Sequence, residues 1–333
     1  MSQNDDRLND PRLDDDASLD DAHLDKTAEE EEAERLQAER RPVLDQAVEM
    51  EVHSSMQGGD ESPVEPVRLG PDDTFTFRCH SGVSCWNACC HNPDITLTPK
   101  CMLRLSRRLN MRPADVLDQY TVPAEWGKSD MPVAKLKVHG PEKNHACPFN
   151  TPEGCTVYED RPATCRYYPL GRVTARMEEG TEKQSFYFLV NEAHCMGHNE
   201  DKVQTVDEFR EEQGIVDYDP VNEGWIDILM KMVSWNSVGG PFGRRPSQQT
   251  KKMFYMMSYD VEAFRRFVFE TKFLETYEID PEAIETLRTD DEALLKLGFD
   301  WMRHTLFAEP TIQLKEEVLK QAVAQQREDL GAS

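Results

Sequence analysis

Cys79, Cys85, Cys89 and Cys90 fall within twelve residues of FRCHSGVSCWNACCHN, residues 77–92, and end as an adjacent pair. Cys147, Cys155, Cys165 and Cys195 follow at widening intervals. The pattern reads Cys-x5-Cys-x3-Cys-Cys, then Cys-x7-Cys-x9-Cys, then a last cysteine after twenty-nine residues. Eight of the nine cysteines thus belong to one array. Cysteine buries well as a small hydrophobe, but core cysteines have no reason to bunch in loops among His, Asn, Gly and Pro, whereas thiolate ligands must converge. The eight read as metal ligands.

The spacing bears on which metal. A structural zinc ion takes four tetrahedral nitrogen or sulfur ligands, commonly as two Cys-x2–4-Cys pairs. The x5, x3 and x0 spacings depart from that, and two adjacent cysteines reach one tetrahedral ion only with backbone strain. An iron–sulfur cluster, of which 4Fe–4S is one form, spreads its iron atoms over several ångströms and draws single cysteines from several loops. The pattern suits iron–sulfur better and leaves zinc as the other cofactor. Eight thiols could serve one cluster plus a second metal, two metal sites, or one site with spare thiols.

Other residue types cluster nearby. Six of the nine histidines, His80, His91, His139, His145, His194 and His198, lie between Cys79 and residue 198. Because the thiols already exceed one site's needs, each reads as a supporting or surface residue. Arg161 and Arg166 flank Cys165 in EDRPATCR. They either lower its thiol pKa and help neutralise a bound cluster, or pair with Glu159 or Asp160. Cys101 stands outside the array as a non-ligand thiol.

Positioning these residues requires a scaffold of α+β class, dominated by helix: a cysteine-cluster metal domain with a small β-hairpin or sheet, then a helical C-terminal region. Thr98 and Pro99 are N-cap and first-turn residues of a helix whose Met102, Leu105 and Leu109 face inward. Its Lys100, Arg104, Arg107 and Arg108 form a basic stripe, either solvated or offsetting the negative charge of a thiolate centre. Arg112-Pro113 opens a second helix with Val116, Leu117 and Tyr120 inward. Pro132–Val138 and Thr156–Tyr158 read as short strands, and Leu170–Met177 with Gln184–Val190 as a hairpin around EEGTEK that delivers Cys195. Beyond it the signals are helical. A capping box at Thr205 and Glu208 precedes a helix bearing Trp225, Leu229 and Met232, and another bearing Phe264, Phe267 and Val268. A second box, Thr289 and Glu292, opens a helix through Trp301, and Pro310 separates it from a last amphipathic helix. The organisation expected is an acidic disordered tail over 1–70, the cysteine-cluster domain over 71–200 and the helical region over 201–333.

Charge narrows the partners. The net charge is -25, and residues 1–70 hold 21 Asp and Glu against 7 Lys and Arg. Such a tail cannot bury enough apolar surface to order itself, apart from a transient helix over Thr27–Arg41. A surface this negative argues against nucleic acid and anionic membranes as partners. No secretory signal and no run of apolar residues long enough for a membrane span is present, so a cytoplasmic protein is expected. In that reducing compartment the cysteines read as metal-binding or redox-active rather than disulfide-bonded. A protein partner, if there is one, falls to the helical region.

FRCHSGVSCWNACC, ITLTPKCMLRLSRRLN, CPFNTPEGCTVYEDRPATCRYYPLG and HCMG, in that order, resemble the YkgJ-type cysteine-cluster proteins, a family described as zinc- or iron-chelating. The resemblance covers roughly residues 75–200 and implies that the same eight cysteines form the cluster. Cys101 departs from it, standing where the family's LT-x-x-D has an acidic residue. Related members are flagellin lysine N-methylases, which look like iron–sulfur proteins using S-adenosylmethionine. Three function classes follow: a metal-binding protein, an S-adenosylmethionine-dependent lysine methylase, and a redox or metal sensor. The Gly-rich run VGGPFGRRPS at Val238–Ser247 follows a predicted helix rather than a strand and reads as a loop, not a dinucleotide-type turn. No Ser-His-Asp, HExxH or P-loop pattern appears.

Overall fold

The structure is a computed structural model and describes residues 64–176, 183–237, 239 and 245–329. These lie within one unit, Ala47–Ser333. The tail up to residue 63, with its Thr27–Arg41 segment, lies outside the described residues, as do the hairpin turn 177–182 and most of the Gly-rich run.

In chain order the first strands are β1 (Val64–Leu69) and β2 (Thr74–Thr76), followed by a single 3-10 turn at Ala88–Cys90. Helix α1 (Pro99–Leu109) begins where Thr98 accepts a hydrogen bond from the Cys101 amide, a cap worth about 1 kcal/mol. Helix α2 (Pro113–Tyr120) leads into β3 (Thr121–Glu125), which pairs antiparallel with β4 (Pro132–Leu136). A two-residue ladder, β5 (Asn150–Thr151) with β6 (Gly154–Cys155), precedes a 3-10 turn at Tyr158–Asp160 and the short α3 (Ala163–Tyr167). The expected hairpin is β7 (Leu170–Arg176) and β8 (Lys183–Val190). Strand β9 (Val203–Thr205) pairs with β2 and runs into α4 (Val206–Glu212), whose capping box at Thr205 and Glu208 is complete.

The remaining chain is helical: α5 (Asp219–Ser237), α6 (Gln248–Tyr259), α7 (Val261–Glu270), α8 (Phe273–Thr276), α9 (Pro281–Thr289), α10 (Asp291–Phe307) and α11 (Glu316–Asp329). The strands β10 (Tyr277–Glu278) and β11 (Gln313–Leu314) pair between them. Helices therefore dominate over small antiparallel sheets, the expected α+β class. No helix among the described residues is long and apolar enough to cross a membrane.

Some local expectations differ from what forms. Val64–Leu69, inside the stretch read as tail, adds to the open edge of β8 with a register irregularity between Val64 and Arg68; an unpaired strand edge recruits a partner even when its sequence carries Pro and charge. Thr156–Tyr158 is not a strand, because the chain turns into 3-10 geometry at Tyr158. The cap of α10 is Asp290, which accepts from the Glu292 and Ala293 amides, since α9 runs on through Thr289.

The main core joins α1, α2 and β4 to the C-terminal helices. Leu97, Met102, Leu105, Val116, Trp225, Ile228, Phe254 and Phe264 are among its buried members. The Trp225 and Phe254 rings stack at 6.4 Å, and the buried Tyr259 hydroxyl donates to the Leu97 carbonyl at 2.9 Å. The basic stripe of α1 is spent mainly on carboxylates, although Arg107 and Arg108 keep exposed surface and Arg108 also acts on Cys155. Lys100 pairs with Glu292, Arg107 with Asp291 at 2.7 Å and Arg104 with Asp160 at 2.7 Å, docking α1 on α10 and on the 158–160 turn. A second, smaller core of Phe75, Phe77, Leu170, Tyr187, Val206, Phe209 and Ile215 lies beneath the β7–β8 hairpin.

Candidate metal centre

Backbone pairing brings the cysteine-bearing segments together. Phe77 and Arg78 donate to the carbonyls of Lys202 and Gly197, each at 3.0 Å, and the Gln204 side-chain amide donates to the Phe77 carbonyl at 2.8 Å. Cys79 thereby lies beside the turn that carries Cys195. The approach requires glycine at 197, where a Cβ would fall 2.7 Å from the Phe77 ring and 2.9 Å from the Arg78 oxygen. From the same turn the Met196 amide donates to the Cys85 Sγ at 3.1 Å.

The chain then winds through successive turns, Trp86 to Val83, Ala88 to Cys85 and Cys90 to Asn87, which crowd three cysteines into six residues. Asn87 holds a left-handed conformation, φ 64°, and its side-chain amide donates to the Thr151 carbonyl at 2.9 Å. Past the adjacent pair, the Cys147 amide donates to the Cys90 carbonyl at 2.8 Å and Asn92 to His145 at 2.9 Å. The β5–β6 turn then sets Cys155 opposite Asn150, whose amide donates to the Cys147 carbonyl. Cys165 is presented by α3.

Each thiol's electrostatic neighbours follow from this layout. Burial and the thiols of Cys89, Cys85 and Cys195 push the Cys79 pKa up to about 11. Burial raises Cys195, and Cys85 and Cys89 add to it. Burial lifts Cys147 to about 11, with Cys155 as its strongest thiol neighbour. Cys165 is raised by burial and then by Cys147, Cys101 and Cys155. The Cys90 thiol is hydrogen-bonded to Cys89, which draws Cys89 below the ordinary thiol range and drives Cys90 above it. Cys79, Cys89 and Cys165 retain exposed surface even though protein atoms crowd around them.

Among the described residues no three Cys, His, Asp or Glu side chains already converge on one metal position, and all nine cysteines are free thiols. The donor chemistry nonetheless fits a thiophilic metal. The Phe149 and Asn150 amides act on the Cys147 sulfur, the Val157 amide on Cys155 and the Gly197 amide on Cys195. Amides directed at sulfur favour the thiolate form that a metal requires.

Three of the six histidines make bonds of their own. His80 Nδ1 accepts from the Gly82 amide at 3.1 Å, so its Nε2 carries the proton and donates to Glu200 at 3.0 Å; neither nitrogen is left for a metal. His91 donates to the Asn144 carbonyl at 3.1 Å and His198 to the Val190 carbonyl at 3.1 Å. Cys101 is fully buried, 0 % exposed, and its sulfur accepts from the Thr98 hydroxyl at 3.0 Å and the Ala163 amide at 3.1 Å. It is a core thiol behind the array.

Arg161 and Arg166 are buried, and among the described residues neither forms an ion pair. Arg161 donates to the Tyr158 carbonyl at 2.8 Å and the Gln213 side chain at 2.5 Å. Arg166 donates to the carbonyls of Arg161, Gln213 and Glu159. The pairing with Glu159 or Asp160 is thus absent, since Asp160 is taken by Arg104. Arg161 acts on Cys79, Cys155 and Cys165, whereas Arg166 faces Cys101 and the Tyr218 ring. Sequence reasoning missed Gln213, Asn87 and Tyr168, whose buried hydroxyl stands beside Cys195. Only Asn87 carried a signal, as a residue type that tolerates left-handed backbone.

The arrangement sets a cysteine-rich segment against a helical body with which it shares its main core. Residues 78–197 match the family model CxxCxxCC, "Putative zinc- or iron-chelating domain". This supports the cysteine-cluster family reading for that segment, whose bounds enclose all eight cysteines of the array. No curated protein and no solved structure matches the chain.

Proposed function

We propose that the chain is a metal-binding protein whose cysteines 79, 85, 89, 90, 147, 155, 165 and 195 chelate zinc or iron, with an iron–sulfur centre the favoured form. The observation that carries this reading is the placing of three of the eight thiols, Cys79, Cys155 and Cys165, about Arg161, a buried cation with no ion-pair partner among the described residues. A buried unpaired charge costs several kcal/mol. Four thiolates on zinc or on an iron–sulfur cluster leave net negative charge, so each would offset the other. When bound, the metal would supply ligand bonds that tie separate chain segments together. Iron–sulfur is favoured because the ligands come singly from dispersed loops and because hydrogen bonds to sulfur tune such clusters.

The exposure of Cys79, Cys89 and Cys165 favours a second reading, a redox or metal sensor, because oxidants and competing chelators can reach the ligands. The test of both is anaerobic purification of the full chain with metal and sulfide analysis and a visible spectrum. Iron with stoichiometric sulfide supports the cluster, and its bleaching in air with retained fold supports the sensor. A folded, metal-free protein with all eight thiols freely titratable ends the chelation reading.

A further inference from the structure

The adjacent pair Cys89–Cys90 is where the array divides. On one side, Arg78 pairs with Gly197 and the Met196 amide bonds the Cys85 sulfur, so Cys79, Cys85 and Cys195 share one corner of the fold. Cys89 stands between the two sides: its thiol leads those acting on Cys79 and also acts on Cys195, but it acts on Cys147, Cys155 and Cys165 as well, and it falls to the first side because its neighbour Cys90 is the one bonded to Cys147. On the other side, Cys90 and Cys147 are joined by a backbone hydrogen bond, and Asn150 links Cys147 to Cys155 across the β5–β6 ladder. After Cys89 itself, the thiols acting on Cys90 are Cys147 and Cys165, and Cys165 is acted on by Cys147 and Cys155.

We infer that the eight cysteines form two four-thiolate metal sites, Cys79, Cys85, Cys89 and Cys195 in one and Cys90, Cys147, Cys155 and Cys165 in the other, with the Cys89–Cys90 peptide as the seam. The split gives the adjacent pair a physical reason. Neighbouring residues reach one tetrahedral ion only with strain, but they can serve two centres placed back to back. Each set also spans distant chain: the first closes residues 79 to 195, the second 90 to 165. The ligand class is a thiophilic ion or cluster, zinc or iron–sulfur, at each site.

This inference rests on the chelation reading, and the experiment separates the two. Metal content is measured on the anaerobically purified full chain, on Cys195→Ser and Cys85→Ser for the first site, and on Cys147→Ser and Cys155→Ser for the second. Each single variant is expected to keep the complement of the untouched site, half of the total where both hold the same metal, while Cys195→Ser/Cys147→Ser keeps none. A single centre per wild-type chain, or a folded single variant that loses everything, overturns the partition and leaves chelation standing. Wild type without metal overturns both.

Because a variant can fail to fold, the wild-type holoprotein supplies a second measurement. Metal is withdrawn gradually with a chelator, exposed thiols are alkylated, and intact chains are weighed before peptide mapping. Chains with four labels, all within one set, are expected midway. Passage from no label straight to eight, or four labels drawn from both sets, overturns the partition.

Discussion

The Cys147 amide donates to the Cys90 carbonyl at 2.8 Å, a bond between the end of the first cysteine cluster and the start of the second. Helices α1 and α2 and the β3–β4 pair are built from the chain between them. The contact therefore exists only when that intervening fold is packed. Ligand positions set by tertiary structure make metal binding and folding one thermodynamic problem.

Asn87 tests the register of this joint. It supplies a left-handed turn immediately before Ala88–Cys90 and a side-chain bond to the Thr151 carbonyl. Asn87→Gly keeps the backbone conformation and loses the bond, whereas Asn87→Ala loses both. Stability losses of about 1 kcal/mol for Gly and about 2 kcal/mol for Ala are expected, measured by denaturant unfolding of the holoprotein. Equal losses would mean that the backbone conformation contributes nothing.

Asp291 gives the fold an acid-sensitive joint. Partial burial opposes its ionisation, but hydrogen bonds from Arg265 at 2.6 Å and Arg107 at 2.7 Å outweigh that and hold its carboxyl below the ordinary range. A group whose folded pKa is lowered contributes stability above its unfolded value, about pH 4, and loses it as the pH falls through the folded one. Asp291→Asn should lower stability at neutral pH by about 1 kcal/mol and flatten the acid limb of the stability curve. An unchanged acid limb would show that other carboxylates set it.

The parts of this fold that were legible are those decided locally. Thr98 and Pro99 announce α1 because a cap and a fixed φ act within one turn, and the β7–β8 hairpin shows in alternating residues. Strands β1 and β3 were not legible, since VEPVRL and TVPAE carry Pro and charge and are strands only because β8 and β4 offer them edges. Thr289 and Asp290 can both cap, and the choice falls to how far α9 continues. Residue types and order identified the cysteine array. Which thiols neighbour which depends on crossings such as Arg78 to Gly197 and Cys147 to Cys90, which no local pattern encodes.

Arg161 separates charge compensation from packing. It faces Cys79, Cys155 and Cys165, while Arg166, equally buried, faces Cys101 and Tyr218. Arg161→Met should weaken metal retention about 10–100-fold in chelator competition, the usual effect of losing a residue that supports ligands from behind. Arg166→Met should lower the melting temperature with and without metal alike. If Arg161→Met holds its metal as tightly as wild type, the guanidinium does not counter the thiolates.

Cys101 and Cys165 provide the sharpest contrast, because the Cys101 thiol acts on that of Cys165 and only Cys165 belongs to the array. Cys101 is sealed in the main core, its sulfur held by the Thr98 hydroxyl and the Ala163 amide. Serine can accept both bonds at some loss of packing, so Cys101→Ser should cost about 1 kcal/mol and leave bound metal unchanged. Cys165 has exposed surface and is surrounded by other array thiols, so its replacement removes little core packing. Any damage from Cys165→Ser must therefore come through the metal: bound metal and soluble yield should fall together, and stability measured on metal-free protein should barely change. Metal analysis and unfolding of both variants with and without metal decide the matter. Should Cys101→Ser strip metal as completely as Cys165→Ser, the buried thiol would be a ligand and the boundary of the array drawn here would be wrong.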